Sequence, residues 1–328
     1  MRIDISKYEK IYTFECEHIT QLCGQNIQKK TYILESLRRY FSSYKYSEEI
    51  NPWRDNVKID GKEVGRKYFS VISISKQSDL ISAIKLSKQS LMTEYLKQML
   101  QDFEYQNYLR NIDEELEKLF IGLNEKMNDL GEVSLSYETS DIWAMVQSSK
   151  ITGIRQDSID DKDNFELVTI FFNLLTQVLK GAPKKLLVLI ENIDHLLTME
   201  EYKIFMSEVK RICEQYDIYF IVTLSLDGYV VMEQELFTGI SIFGEEDFQM
   251  PEFNELLCYI NNNYPCYKIF SEREILTLME KIIQKIGRKK YLSTIEENVL
   301  CKLINQSFLL SDKEDCGGSS CELNFLKG

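Results

Sequence analysis

Two short apolar runs with a helix-forming segment between them limit most strongly what this chain can fold into. Residues 184–192 read K-K-L-L-V-L-I-E-N, and residues 218–225 read I-Y-F-I-V-T-L-S. Continuous apolar runs of this length are typical of parallel strands that are buried on both faces. Thr198 and Glu201, between the runs, form a capping box that opens a helix. Strand, helix and strand in this order predict an α/β fold with a doubly wound sheet.

A second segment resembles a loop that binds phosphate. Residues 24–31, G-Q-N-I-Q-K-K-T, match the pattern G-x-x-x-x-G-K-[ST] at every fixed position but one, where Lys29 replaces the second glycine. A strand is predicted before the loop, and a helix is predicted over residues 32–41. The missing glycine would let the backbone close around a phosphate, so a lysine there obstructs the site. An ordinary strand, turn and helix with a chance Lys-Thr pair fits the motif alone equally well.

The residues at the end of the first apolar run also depart from the pattern of a nucleotide-hydrolysing site. In ATPases with a phosphate-binding loop, this strand ends in an Asp that holds magnesium, often followed by a Glu that polarises water. Here the two positions are Glu191 and Asn192, and an amide cannot accept a proton. We therefore predict a degenerate ATPase-like head without catalytic residues. Its nucleotide-site positions are Gly24, Lys30, Thr31 and Glu191.

Composition excludes several classes of protein. With 52 acidic and 39 basic residues the net charge is −13, which argues against a surface that is basic all over but permits one local basic lining. The eight cysteines form no C-x-x-C pair and the two histidines lie in different segments, so no zinc cluster is predicted. No apolar run reaches the roughly 18 residues of a membrane helix. We expect a cytoplasmic protein without membrane contact.

The chain divides into three predicted parts. An α/β head is predicted over residues 1–77 and 137–250, with further strands at 2–5, 11–15 and 68–75. Residues 78–136 form a helical arm, because apolar residues recur there at spacings of three and four, which predicts one or two long amphipathic helices. Residues 251–328 form a C-terminal helical extension with a flexible tail. Ser271 with Glu274 and Ser293 with Glu296 predict capping boxes in this extension.

These features together resemble one family. The resemblance rests on four features of the sequence. They are the degenerate loop, the long helical insertion, residues 184–201 (K-K-L-L-V-L-I-E-N-I-D-H-L-L-T-M-E-E) and residues 222–229 (V-T-L-S-L-D-G-Y). The chain is similar to the accessory spacer-acquisition proteins of type II-A CRISPR systems, in their long form with a C-terminal helical extension. The resemblance covers residues 1 to about 251.

The resemblance implies a DNA-binding function without a catalysed reaction. Members of that family are not known to hydrolyse nucleotides and need no cofactor for a reaction. They assemble as homotetrameric rings with an acidic outside and a basic hole, which takes double-stranded DNA from a free end without sequence preference. They work with the integrase pair and the RNA-guided nuclease of the same locus. Calcium supports assembly of the short forms, so a structural calcium ion is the one bound group that the resemblance implies.

Seven cations are candidates for DNA contact. The first group lies beside or on the first helix and consists of Lys29, Lys30 and Arg38. The second group lies in a polar segment and consists of Lys58, Lys62, Arg66 and Lys67. A cation beside a helix N-terminus can bind an anion, and the plainer alternative is solvation. A basic run in a loop usually serves solubility, and within a DNA-binding ring it becomes a lining.

Three acids are candidates for calcium, and two rival functions remain open. Glu132, Glu138 and Asp141 lie close in sequence, and calcium prefers several carboxylate oxygens. Three acids within ten residues of so acidic a chain also arise easily by chance. The main rival function is a nucleotide-binding switch or weak ATPase, which Lys29 and Asn192 disfavour. The other is a protein-interaction scaffold built on the helical arm.

Overall fold

The computed structural model describes residues 1–7, 10–42, 57–127, 134–136, 142–153, 157–181, 184–287, 294–308 and 320–327. These residues form two compact units, one of Met1–Gln77 with Lys184–Gly328 and one of Ser78–Pro183. The grouping differs from the predicted domains at two places. Residues 137–183 group with the helical segment, and residues 251–328 group with the sheets.

Ten strands are described. They are β1 Arg2–Lys7, β2 Lys10–Glu15, β3 Ile19–Cys23, β4 Val57–Ile59, β5 Lys62–Glu63, β6 Ser70–Ile74, β7 Leu186–Ile190, β8 Ile218–Thr223, β9 Ile240–Phe243 and β10 Asp247–Gln249. The strands predicted from apolar runs are all present, with ends that differ by a few residues.

A six-stranded sheet forms the centre of the first unit. Its order is β10-β9-β3-β8-β7-β6, and all its pairs are parallel except β10 with β9. Every residue of β3 and β7 is buried. In β7, continuous burial explains the apolar run without alternation, whereas β3 also buries the polar side chains of Thr20 and Gln21. The predicted α/β class with a largely parallel sheet is therefore confirmed.

A second, antiparallel sheet has the order β2-β1-β4-β5. Val57 and Ile59 of β4 are buried, whereas Lys58 between them is exposed. Asp60 and Gly61 join β4 to β5 with φ angles of 49° and 72°, as a two-residue hairpin turn requires. The basic run that was expected in a polar loop therefore begins in a β-hairpin.

The helices have the following bounds. They are α1 Ile27–Tyr40, α2 Gln77–Ile84, α3 Leu91–Leu100, α4 Phe103–Met127, α5 Ile142–Gln147, α6 Asn164–Gly181, α7 Met199–Gln215, α8 Phe253–Asn263, α9 Glu272–Ile282, α10 Ile295–Ser307 and α11 Cys321–Lys327. None of these helices is long and apolar enough to cross a membrane.

The second unit is helical, and its first part differs from the prediction. Three helices, α2 to α4, replace the predicted one or two. The Ser90 side chain accepts a hydrogen bond from the backbone N of Thr93 and so starts a new helix. Within this unit α3 packs on α6, where Gln98 Nε2 donates to the carbonyl of Val178 at 3.2 Å. The 25-residue α4, which is described in full, has no buried residue.

Capping boxes begin three helices of the first unit. Thr198 with Glu201 opens α7 and Ser271 with Glu274 opens α9, as predicted. The third box lies one residue later than predicted, because Thr294 caps α10 and pairs with Glu297. Glu296 instead forms an ion pair with Lys268.

Candidate functional site

The loop between β3 and α1 is shorter than the sequence pattern suggests. We call Gly24, Gln25 and Asn26 the Gly24 loop, because α1 already begins at Ile27. The predicted start at residue 32 is wrong, since the Asn26 side chain accepts a hydrogen bond from Lys29 N at 3.0 Å and caps the helix. Lys29, Lys30 and Thr31 therefore lie in the first turns of a helix.

Gly24 is a glycine for reasons of packing. Its φ angle is +85°, and a Cβ there would lie 2.4 Å from the backbone O of Phe243 in β9. The backbone N of Asn26 donates to the same oxygen at 3.0 Å. The close approach of β9 thus accounts for the glycine without any phosphate.

The Lys30 ammonium group is turned into the protein. It donates to Gly24 O at 2.7 Å, to Leu224 O at 2.6 Å and to Ser225 Oγ at 3.1 Å. The residue is 1% exposed, and burial lowers its pKa, while Cys23, Asp194 and Glu191 act in the opposite direction. All three ammonium hydrogens have acceptors within the chain. In this conformation Lys30 reaches neither DNA nor a nucleotide.

Thr31 and Glu191, two of the four predicted nucleotide-site positions, contact each other directly. Thr31 Oγ1 donates to Glu191 Oε1, and Glu191 directly follows β7. In an ATPase the equivalent oxygens hold magnesium beside the phosphates. Here the two side chains are hydrogen-bonded to each other. The four degenerate positions are thus brought together by the fold, and their polar groups are used internally.

Asp194 is a buried acid that the sequence analysis missed. It is 2% exposed, and its Oδ2 accepts hydrogen bonds from the backbone N of Ser225 at 2.6 Å and of Leu226 at 2.7 Å. It thereby fixes the chain that leaves β8, which carries two of the acceptors of Lys30. The sequence signal that could have indicated it is its position, four residues after the end of β7.

Lys29 and Arg38 each have an acidic partner. Lys29 Nζ lies 2.7 Å from Asp247 Oδ1 in β10 and 3.0 Å from the carbonyl of Glu245. Arg38 donates twice to Glu35, at 2.7 and 2.8 Å. These hydrogen bonds lower the pKa of Glu35. A phosphate at either cation must compete with a carboxylate.

The remaining four cations are exposed, but they do not share one face. Lys58 lies opposite Asp4 in β1 and opposite Glu63 in β5, whereas Lys62 lies opposite Ile59. Residues directly opposite in an antiparallel pair point to the same side, so Lys58 and Lys62 point to opposite sides of the sheet. Lys58 therefore sits between two acids.

Lys62, Arg66 and Lys67 form the exposed group that we call the hairpin cations. Arg66 Nε donates to the backbone O of Tyr40 at 3.1 Å, which ties the segment after β5 to the end of α1. Lys62 begins β5, and Lys67 follows Arg66 directly in this exposed segment. Exposure and the closeness of three cations in sequence make this group available for phosphate contact.

The predicted calcium ligands Glu132, Glu138 and Asp141 lie outside the described residues. Within the part of the chain that the structure describes, no group of three or more His, Cys, Asp or Glu side chains is arranged to hold a metal ion. The calcium site therefore stays a prediction.

The chain is similar to proteins of known family and structure. The family model described as CRISPR-associated protein Csn2 subfamily St matches residues 6–326. Stu0660 of Streptococcus thermophilus is a similar solved structure, with 22% identity, 97% of each chain covered and a TM-score of 0.88. This likeness shows a shared fold. The curated proteins contain no match.

Two further solved structures are less similar. They are cbiO1 from Clostridium perfringens, part of the ABC transporter complex cbiONQ, and the SmcHead bound to the C-winged helix domain of ScpA. The first has 10% identity, covers 85% of this chain and 98% of that chain, and has a TM-score of 0.39. The second has 14% identity, covers 76% of this chain and 94% of that chain, and has the same TM-score of 0.39. At this level of similarity neither supports an argument about fold or function.

Proposed function

Because the chain belongs to the Csn2 family of CRISPR-associated proteins, subfamily St, we propose that it binds free ends of double-stranded DNA during spacer acquisition. It does so without sequence preference and without catalysis. The working form is a homotetrameric ring that acts with the integrase pair and the RNA-guided nuclease of its locus.

The state of Lys30 carries the non-catalytic part of this proposal. A phosphate-binding loop acts through free backbone N–H groups and a lysine that reaches the phosphates. Here Lys30 is buried and donates to three oxygens of the same chain. Thr31 and Glu191 are joined by a hydrogen bond. Nothing in this arrangement favours the rival nucleotide-binding switch.

Charge distribution supports the DNA-binding part. A chain with a net charge of −13 can hold DNA only where cations are gathered away from acids. The hairpin cations are three exposed cations within six residues, with Glu63 as the one acid between them in sequence. Their contacts would be to phosphates, and such contacts carry no sequence information directly.

Assembly is supported by the surface of α4. Exposed apolar side chains recur along one face at spacings of four and seven residues, at Tyr108, Ile112, Leu119 and Leu123. Apolar surface of this kind along a helix is typical of protein–protein contact. We keep a structural calcium ion as part of the proposal for assembly, to be tested by gel filtration with EDTA and with added calcium.

Electrophoretic mobility of two DNA forms tests the proposed function. Linear and closed-circular duplexes of the same sequence and length are compared at equal concentration and salt. A ring that accepts DNA from an end should shift the linear form and leave the closed circle free. Equal binding to both forms would contradict the ring mechanism, and binding to neither would contradict DNA binding itself.

A further inference from the structure

A glutamine from the C-terminal part of the chain reaches the Gly24 loop. Gln284 lies in the 3-10 turn Ile283–Lys285, directly after α9. Its side-chain Oε1 accepts a hydrogen bond from the backbone N of Gly24 at 2.7 Å, across 260 residues of sequence. The residue is 2% exposed. A buried hydrogen bond between such distant segments fixes their relative positions.

The atom that Gln284 contacts is of the kind that binds anions in other proteins. A backbone N–H in a turn before a helix N-terminus is a donor for phosphate or carboxylate oxygens. Here a neutral amide oxygen accepts from it. On the other side of Gly24, the carbonyl oxygen accepts from Lys30 Nζ. The Gly24 loop is thus held from both sides by side chains of the same chain.

The turn that carries Gln284 is itself anchored. Lys285 Nζ lies 3.8 Å from Asp227 Oδ2, in the chain that follows β8. The backbone N of Gly287 donates to Asn305 Oδ1 of α10 at 2.9 Å. Phe308, at the end of α10, stacks on Phe248 of β10 with 4.5 Å between ring centroids. These contacts set the turn against the sheet, and Gln284 points from it to the loop.

We propose that Gln284 is a built-in ligand of the Gly24 loop, through which the C-terminal extension keeps the loop closed to anions. It follows that the loop opens only when the turn at Ile283–Lys285 moves away. The state of the extension and the state of the loop are thereby coupled. This inference concerns the loop alone and does not rest on DNA binding.

The remaining atom of the amide allows a sharp test. Among the described residues Gln284 Nε2 has no hydrogen-bond partner. The amide is therefore held by its oxygen and not by its nitrogen. Gln284→Glu keeps an acceptor of the same length and removes the unpartnered N–H. Gln284→Met keeps the length of the side chain and removes the acceptor.

Hydrogen–deuterium exchange of the Gly24 amide, resolved within the peptide of residues 22–26, measures the closure. Gln284→Met should raise its exchange rate about tenfold or more, because an unsatisfied N–H is then exposed whenever the turn fluctuates. Gln284→Glu should keep the rate near that of the wild type. Gln306→Ala, an exposed glutamine of α10, is the matched control and should have no effect.

Three results would overturn the inference. The first is a wild-type exchange rate in Gln284→Met, and the second is a rise in Gln284→Glu as large as that in Gln284→Met. The third is slower exchange of Gly24 in the wild type on addition of millimolar inorganic pyrophosphate, since the acceptor position is then not filled. If Gln284→Met fails to fold, Gln284→Asn replaces it. The shorter amide should raise the exchange rate, and an unchanged rate contradicts the proposal.

Discussion

Replacement of Lys30 by Met tests whether this lysine is a structural residue. Methionine retains much of the apolar stem and removes the ammonium group, which donates to Gly24 O, Leu224 O and Ser225 Oγ. Two backbone carbonyls in a buried region then lose their donor, and each such loss costs about 1–3 kcal/mol. Asp194 also loses a nearby positive charge.

The expected net effect is smaller than the sum of these losses, because the variant no longer buries an ammonium group. Breaking a buried charged network by removal of one partner typically costs about 3–5 kcal/mol. We expect the apparent free energy of unfolding of Lys30→Met to fall by about 3 kcal/mol, at the lower end of that range. Urea denaturation followed by circular dichroism measures this loss as a lower midpoint at an unchanged slope.

The neighbouring lysine supplies the control. Lys29 has one acidic partner and both side chains are partly exposed, so Lys29→Met should cost less than Lys30→Met, about 1 kcal/mol. Unfolding of Lys30→Met at the wild-type urea concentration would contradict a structural role for Lys30. A larger loss of stability in Lys29→Met than in Lys30→Met would contradict it as well.

Three further predictions follow from the same structure. Isothermal titration with ATP and magnesium should show no binding, and a phosphate-release assay no turnover; micromolar affinity with turnover that Lys30→Ala abolishes would favour the rival function. Leu119→Lys on α4 should reduce assembly in sedimentation velocity, whereas the exposed control Lys118→Ala should not; an unchanged oligomer in Leu119→Lys would show that α4 lies outside the interface. Arg38 lowers the pKa of Glu35 below its ordinary 4.5, so the stability that this carboxylate contributes is present above that pH and is lost as pH falls through the lowered pKa. Glu35→Gln should therefore make the urea midpoint less sensitive to acid, and an unchanged acid dependence would contradict this assignment.

The sheet and its helices were predictable because local patterns specify them. Strands β7 and β8 are buried along almost their whole length, so their sequences are mostly apolar, whereas β3 also buries Thr20 and Gln21. Thr198 with Glu201 marks the start of α7 by a contact between residues three apart. Signals of this range can be read from the sequence alone.

The state of the Gly24 loop was not predictable, because distant residues determine it. The start of α1 depends on the Asn26 cap, which lies inside the stretch that resembles a phosphate-binding motif. The direction of Lys30 depends on acceptors at Leu224 and Ser225, and the acceptor for Gly24 N comes from Gln284. No local spacing connects these residues. Likewise, only the register of the β4–β5 hairpin shows that Lys58 and Lys62 point to opposite sides of the sheet.

The salt dependence of DNA binding shows whether the hairpin cations contact phosphates. Lys62→Ala, Arg66→Ala and Lys67→Ala are combined in one variant, and its affinity for linear duplex is measured over a series of salt concentrations. Each phosphate contact removed lowers the slope of log affinity against log salt by roughly 0.9, and a ring multiplies this effect by its number of subunits. We predict near loss of binding at physiological salt, with the oligomer intact in sedimentation. An unchanged affinity and salt slope would contradict phosphate contact by the hairpin cations.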